Sequence, residues 1–127
     1  MILIVDADPV SGPSLARLLR YNGHAAEVIP SAMEALALLH TRKPTAIILD
    51  TQLPDMQGLV FIRAVHSDPL YSDVPLVVYT GDFSQEVVRE SLALGAVEVI
   101  VKGTVGTQSL LARIEKHLKE NGDSDKS

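Results

Sequence analysis

The sequence contains no cysteine and no tryptophan, and its only aromatic residues are three tyrosines and two phenylalanines. Without cysteine, neither a disulfide framework nor a thiolate metal site can form, and the four histidines are too widely separated to indicate a ligand set. With so few aromatic residues, aliphatic side chains must build the core. No signal peptide and no run of about 20 apolar residues is present, so we expect a cytoplasmic protein that makes no contact with a membrane.

Basic residues are also scarce relative to acidic ones. Eleven lysines and arginines stand against sixteen aspartates and glutamates, which gives a formal net charge of -5 and a pI near 5.2. Proteins that track nucleic-acid phosphates usually carry a basic face, so we expect no direct binding of nucleic acid. The 127 residues, 46% of them hydrophobic, suit one globular domain without repeats or linkers. We assign residues 1–120 to this domain and expect residues 121–127 to form a flexible polar tail.

Short apolar runs alternate with amphipathic segments along the chain. Five runs suit buried strands, namely Ile2 to Val5, His24 to Ile29, Ala46 to Leu49, Leu76 to Tyr79 and Val97 to Val101. Helices are predicted after each strand: the first begins at Pro9 or Pro13, ends at Asn22-Gly23 and has Tyr21 on its inner face, and the last covers about Thr107 to Lys119. This alternation predicts an α/β fold, a doubly wound parallel sheet with helices on both faces.

Four of the five strands are followed at once by a polar residue. In such sheets ligands bind outside the carboxyl ends of the strands, where the strand order reverses. We therefore expect one rim to gather the first polar residues after strands one, three, four and five, which are Asp6, Asp50, Thr80 and Lys102. Asp50 leads into a loop punctuated by Pro54 and Gly58, and Asp55 within that loop is interpreted as a turn residue rather than a ligand.

Two carboxylates, a hydroxyl and an ammonium in one small pocket suit phosphoryl transfer. Mg²⁺ is commonly held by one or two carboxylates, so Asp6 and Asp50 are candidate ligands, together with a loop carbonyl that we assign to Gln52. Lys102 and the metal would neutralise the phosphoryl charge while Asp50 attacks the phosphoryl group to form an aspartyl phosphate. Thr80 would then donate a hydrogen bond to the new phosphate.

The loop Asp50-Thr-Gln-Leu-Pro-Asp-Met-Gln-Gly resembles the phosphoacceptor loop of response-regulator receiver domains in two-component signalling. Thr80, Lys102 and Gly95-Ala96 fall where that family has its signalling threonine, its phosphate-binding lysine and a Gly-Ala pair before the last strand. The resemblance covers essentially residues 1–120 and implies a flavodoxin-like (βα)5 fold with strand order 2-1-3-4-5. It also implies a signalling protein rather than an enzyme, with a histidine kinase or a phosphotransfer protein as the phosphodonor.

The resemblance further implies an output surface built from the fourth helix, the fifth strand and the fifth helix. This surface would contact an effector domain, a partner protein or a second copy of the chain, and it includes Arg89, Glu98, Arg113 and Lys116. Phosphorylation would act on it by biasing a two-state loop near Thr80.

Three positions depart from the receiver pattern. Receivers usually have two adjacent acids after the first strand, but Ala7 follows Asp6, so we expect weaker Mg²⁺ binding and slower phosphorylation. Where receivers usually have a Lys-Pro pair, this chain has Lys102-Gly103. Glycine in place of proline favours a trans peptide and a loosely placed lysine. Val99 occupies the position of a switch tyrosine or phenylalanine, so the ring that couples to Thr80 is missing. The candidates to replace that ring are Phe83 and Tyr79.

Two other functions stay open from the sequence. The three departures are also consistent with a pseudo-receiver, an interaction module that works without phosphate. Asp6-Ala-Asp8 fits the Asp-x-Asp signature of haloacid-dehalogenase-type phosphatases, in which Asp6 would be the nucleophile and Asp8 the general acid and base. That family needs a further acidic motif after the lysine, and residues 103–108 contain no acid.

Overall fold

Five short strands form one sheet, and every neighbouring pair of strands is parallel. The structure, a computed structural model, describes the backbone of residues 1–126 and the side chains of residues 1–118. The strands are β1 (Ile2–Val5), β2 (Ala26–Ile29), β3 (Ala46–Leu49), β4 (Leu76–Thr80) and β5 (Glu98–Val101). Their order across the sheet is β2-β1-β3-β4-β5, which confirms the predicted doubly wound fold and its strand order.

A helix follows each strand. The helices are α1 (Ser11–Tyr21), α2 (Ala32–Leu39), α3 (Gly58–His66), α4 (Gln85–Ala93) and α5 (Thr107–Lys126). The hydroxyls of Ser31 and Ser84 each accept a hydrogen bond from a backbone N–H in the first turn of the next helix, which fixes where α2 and α4 begin. Over the described residues, no helix combines the length and the apolar character needed to cross a bilayer.

Apolar side chains cover both faces of the sheet. Successive strand residues point to opposite faces, so a strand buried on both sides must be apolar throughout, as β1 and β3 are. One face packs against α2 and α3, where the fully buried ring of Phe61 is the largest side chain. The other face packs against α1 and α5 through Leu15, Leu19, Leu110 and Ile114. This two-sided core fixes the register of the strands and therefore the positions of the residues that follow them.

Tyr21 does not lie on the inner face of α1. Its side chain is 89% exposed, so this prediction was wrong. A helix advances about 100° per residue, and the buried positions Gly12, Leu15, Ala16 and Leu19 define a face roughly opposite to Tyr21. The prediction relied on the apolar character of the Tyr21 ring. Hydrophobicity alone does not show on which side of the helix axis a residue lies.

The last helix is longer than the sequence indicates. α5 continues from the predicted end at Lys119 to Lys126 and so includes most of the segment expected to be a polar tail. No proline interrupts this segment, and Gly122 costs a helix only about 1 kcal/mol relative to alanine. Ser127 lies outside the described residues, and flexibility of residues 121–127 stays a prediction.

Candidate functional site

The parallel register brings the four predicted rim residues together. Val5 and Leu49 are partners at the ends of β1 and β3, so Asp6 and Asp50 emerge side by side, and the Asp50 N–H donates to the carbonyl of Val5 at 2.9 Å. On the other side of β3, the Lys102 N–H donates to the carbonyl of Thr80 at 2.8 Å. Backbone pairing alone therefore places two carboxylates, a hydroxyl and an ammonium at one rim.

The ammonium of Lys102 is the centre of this cluster. Its Nζ lies 2.7 Å from Asp50 Oδ2, 3.0 Å from Asp6 Oδ2 and 2.7 Å from Ser11 Oγ. Burial acts to lower the pKa of Lys102, but the hydrogen bonds to Asp50 and Asp6 outweigh it and raise the pKa above its ordinary value. Lys102 is therefore charged at neutral pH and is shared between the two carboxylates.

Lys102 contacts the rim although no proline follows it. The Lys102–Gly103 peptide is trans, as expected, and Gly103 adopts a left-handed conformation with φ of 84°. Nζ of Lys102 has three oxygen partners, and the accompanying prediction of a loosely placed lysine stays a prediction. Glycine supplies the turn that a side chain would strain, and the ion pairs supply the orientation.

Asp50 is buried, with 5% of its surface exposed, and both of its carboxylate oxygens accept hydrogen bonds. Oδ1 accepts from the hydroxyl of Thr80 at 2.9 Å and from the backbone N–H of Gln52 at 2.9 Å, while Oδ2 contacts Lys102. Gln52 thus holds Asp50 through its N–H, and the predicted role of its carbonyl as a metal ligand stays a prediction.

Asp6 is tied to the start of α1. Its Oδ1 accepts from the N–H of Asp8 at 2.8 Å and its Oδ2 accepts from the hydroxyl of Ser11 at 2.9 Å. Ser11 therefore belongs to the cluster, although the sequence analysis missed it. No local signal marks it, because its contacts with Asp6 and Lys102 depend on where α1 begins above the rim.

Asp8 belongs to the helix start rather than to the charged cluster. Its Oδ1 accepts from the backbone N–H groups of Val10 at 2.8 Å and Ser11 at 3.2 Å. These bonds, that of Val10 above all, lower the pKa of Asp8 below its ordinary value. An exposed carboxylate with this capping role does not replace the acid that is missing at Ala7.

The donor set fits a Mg²⁺ ion. Among the side chains of residues 1–118, no three His, Cys, Asp or Glu residues converge as a metal site. Two buried carboxylates, those of Asp6 and Asp50, do share one rim, and Mg²⁺ binds through one or two carboxylates, waters and substrate phosphates. Lys102 already balances these carboxylates, so a cation gains less here than at an uncompensated acidic site.

Neither candidate ring, Phe83 or Tyr79, takes over the place left by Val99. Phe83 is 78% exposed, and the Tyr79 ring lies against the Lys102 ammonium, 5.6 Å from its centroid, in a cation–π contact. The hydroxyl of Thr80 instead lies 2.9 Å from the hydroxyl of Thr51. Thr51 was not singled out from the sequence, because its partner is 29 residues away along the chain.

Asp55 has a structural role that reaches beyond its own loop. Its Oδ1 accepts from the N–H of Ala32 at 3.0 Å and its Oδ2 from the N–H of Met33 at 2.9 Å, so it caps the first turn of α2. These two bonds, that of Met33 first, lower its pKa. Asp55 thus anchors the Asp50 loop to a neighbouring helix.

The expected output surface contains a compact charged cluster. Glu98 on β5 pairs with Arg113 on α5 and accepts from His117 Nε2 at 2.8 Å when that nitrogen is protonated. Burial acts to raise the pKa of Glu98, but the bonds with His117 and Arg113 outweigh it and lower the pKa. Arg89 and Lys116 are exposed on the same group of elements.

Comparisons with known proteins agree with this geometry. Residues 2–115 match the family model of the response regulator receiver domain. The chain is 32% identical over 124 residues to the response regulator MprA of Mycobacterium sp. (strain KMS), covering 98% of this chain and 53% of that protein, so it spans about half the length of this curated relative.

Solved structures give the same assignment. A CheY-like receiver domain protein from Methanospirillum hungatei JF-1 superposes with a TM-score of 0.88 at 31% identity, covering 97% of this chain and 96% of that one. The chemotaxis response regulator CheY4 of Vibrio cholerae gives a TM-score of 0.83 at 28% identity, with 91% and 96% covered. The chain therefore belongs to the response regulator receiver domain family, which acts in two-component signalling.

Proposed function

We propose that Asp50 accepts a phosphoryl group from a histidine kinase or a phosphotransfer protein, and that the domain signals through its α4-β5-α5 surface. The observation that carries this proposal is the contact of Lys102 Nζ with Asp50 Oδ2 at 2.7 Å, beside the Thr80 hydroxyl at 2.9 Å from Oδ1. A nucleophile, a cation and a hydroxyl donor are thereby assembled around one carboxylate. The domain receives a phosphoryl group rather than turning over a substrate, so it acts as a signalling module.

The transfer follows from these contacts. An oxygen of Asp50 forms a bond to phosphorus, the bond from phosphorus to the donor's imidazole nitrogen breaks, and the imidazole leaves with the electron pair and takes up a proton. Lys102 neutralises the charge on the transferring group, and Thr80 turns its hydroxyl hydrogen from Asp50 to a phosphoryl oxygen. A bound Mg²⁺ ion, held by Asp6, Asp50 and the Gln52 carbonyl, would supply further positive charge.

The absence of an acid at position 7 determines how fast we expect Asp50 to be phosphorylated. With two carboxylates instead of three, Mg²⁺ binds weakly, and phosphorylation from a small phosphodonor is slow. Ala7→Asp restores the usual acidic pair, so this variant should bind Mg²⁺ more tightly and gain phosphate faster. A metal titration that finds equal Mg²⁺ affinity in Ala7→Asp and the natural chain would contradict this interpretation.

A phosphate-independent interaction module is the second candidate. It is favoured by three positions at or near the rim that depart from the receiver pattern, Ala7, Val99 and Gly103. The phosphatase interpretation has no comparable support, because Asp8, its required acid and base, caps α1. In either case we infer a cytoplasmic location and a protein partner at the α4-β5-α5 surface, which is an effector domain or a second copy of the chain.

Intact-mass analysis after incubation with Mg²⁺ and acetyl phosphate separates the two candidates. We expect the natural chain to gain one phosphoryl group, and we expect chelation of Mg²⁺ or the Asp50→Asn substitution to prevent this gain. Asp73→Asn is the control, because it removes an exposed carboxylate that lies outside the rim. If only Ala7→Asp gains phosphate, the natural site is silent and the interaction module is the correct function. A gain that persists in Asp50→Asn would place the acceptor elsewhere.

A further inference from the structure

The hydroxyl of Thr80 has a complete set of hydrogen-bond partners. It is fully buried and lies 2.9 Å from Asp50 Oδ1, 2.9 Å from Thr51 Oγ1 and 3.2 Å from the backbone nitrogen of Asp82. A threonine hydroxyl carries one hydrogen and two lone pairs, so three partners saturate it. The direction of each bond can therefore be assigned.

The assignment makes Thr51 a donor. Ionised Asp50 only accepts, so the single hydrogen of the Thr80 hydroxyl is directed to Asp50 Oδ1. The backbone N–H of Asp82 donates to one lone pair of Thr80. The remaining lone pair faces Thr51, and the Thr51 hydroxyl must donate to it. A chain of hydrogen bonds thus runs from Thr51 to Thr80 to Asp50.

Thr51 is rigidly placed for this role. Its carbonyl accepts from the N–H of Gly58 at 3.2 Å, and a Cβ atom at position 58 would lie only 2.4 Å from the Thr51 Cα atom. Such a short distance is not possible without a backbone shift, so glycine at position 58 allows the start of α3 to pack directly on Thr51. The backbone of Thr51 is therefore packed against the first residue of α3.

We propose that Thr51 is a positioning residue that holds the Thr80 hydroxyl toward Asp50 in the unphosphorylated protein. The contact supplies an orienting force at a site where Val99 offers no ring to pack against Thr80. Thr80 needs no rotation of its side chain to meet a phosphoryl group on Asp50. The role of Thr80 toward a phosphoryl group on Asp50 rests on the proposed function. The orientation of Thr80, in contrast, is a property of the unmodified chain.

Three-bond NMR couplings between the Thr80 methyl carbon and its backbone nitrogen and carbonyl carbon give the side-chain rotamer directly. We expect the unphosphorylated natural chain to populate one rotamer. Thr51→Val keeps the shape of the side chain but removes the donor, so the ratio of the inward to the outward rotamer should fall about two- to tenfold. Thr51→Ser, which keeps the hydroxyl, should retain the natural rotamer.

Couplings of Thr80 that are identical in Thr51→Val and the natural chain would overturn the proposal. If Thr51→Val does not fold, Thr51→Ala provides the same comparison without adding a methyl group, and its expected couplings are those of a mixed rotamer population. The measurement uses unphosphorylated protein, so it stays decisive even if Asp50 accepts no phosphate. Conversely, Asp50-dependent mass gain with unchanged couplings would refute the role of Thr51 and leave the proposed function intact.

Discussion

Replacing Lys102 by methionine tests whether one ammonium balances the two rim carboxylates. The side chain of Lys102 is 17% exposed, and those of Asp6 and Asp50 are 3% and 6% exposed, so water cannot easily replace the lost charge. Lys102→Met keeps most of the aliphatic stem and removes the ammonium. The two carboxylates are then left close together, buried and without their shared cation.

We expect Lys102→Met to lower the free energy of unfolding by more than is usual for a partly exposed residue. Removing one partner of a buried ion pair costs about 3–5 kcal/mol, and the partial exposure of Lys102 reduces this to roughly 2–4 kcal/mol. The pKa of Lys102 is raised above 10.5, so its contribution is fully present below that pH and is lost only as the pH rises through the higher folded-state value. Measurements at pH 7 to 8 therefore record the whole effect.

Urea unfolding in the presence of EDTA gives the free energy of unfolding for each variant. The matched control is Lys43→Met, because Lys43 is 53% exposed and forms a 3.1 Å pair with the exposed Asp73, so its loss should change stability by less than about 1 kcal/mol. Adding Asp6→Asn to Lys102→Met should recover at least half of the lost stability. If the two lysine substitutions had equal effects, or if Asp6→Asn recovered no stability, Lys102 would not balance the charge of the two rim carboxylates.

Three further predictions concern the fold around the site. Phe61→Ala should lower the free energy of unfolding by about 3–5 kcal/mol in urea titrations, because the ring is fully buried between the sheet and its helices. Tyr21→Ala should change it by less than about 0.5 kcal/mol in the same assay, since the ring is exposed. The lowered pKa of Asp55 means that its capping of α2 is present above pH 3.8 and is lost as the pH falls through the lower folded-state value. Hydrogen exchange should therefore show that Asp55→Ala weakens protection of the Ala32 and Met33 amides at neutral pH, and unchanged protection would contradict the capping role.

The position of the rim residues could be predicted from the sequence because it depends on one geometric rule. Strands that are apolar throughout lie inside a parallel sheet, and the first polar residue after each strand must emerge at the carboxyl edge. Asp6 and Asp50 follow this rule, Lys102 directly follows the edge strand β5, and Thr80 is the last residue of β4 at the same edge of the sheet. The strand order could also be predicted, because the chain resembles a family whose fold is known.

Contacts between distant loops could not be predicted in this way. Ser11 reaches Lys102 across 91 residues, Thr51 meets Thr80 across 29, and Asp55 caps a helix that begins 23 residues before it. None of these pairs produces a periodic pattern, because each depends on how a loop or a helix start lies above the finished sheet. Among the three partners of Lys102, only Ser11 is a contact of this kind, because Asp6 and Asp50 were expected beside it at the rim.

The missing acid at position 7 and the two ion pairs of Lys102 are connected through charge. At the rim, Asp6 and Asp50 carry two negative charges and Lys102 carries one positive charge, whereas an acid at position 7 would add a third negative charge. With three carboxylates, one ammonium leaves more charge uncompensated, and a divalent cation gains more by binding. With two, Lys102 satisfies one oxygen of each and competes with the cation for both. We therefore expect Lys102 to carry a larger share of charge neutralisation during phosphoryl transfer here than in a receiver that has the full acidic pair.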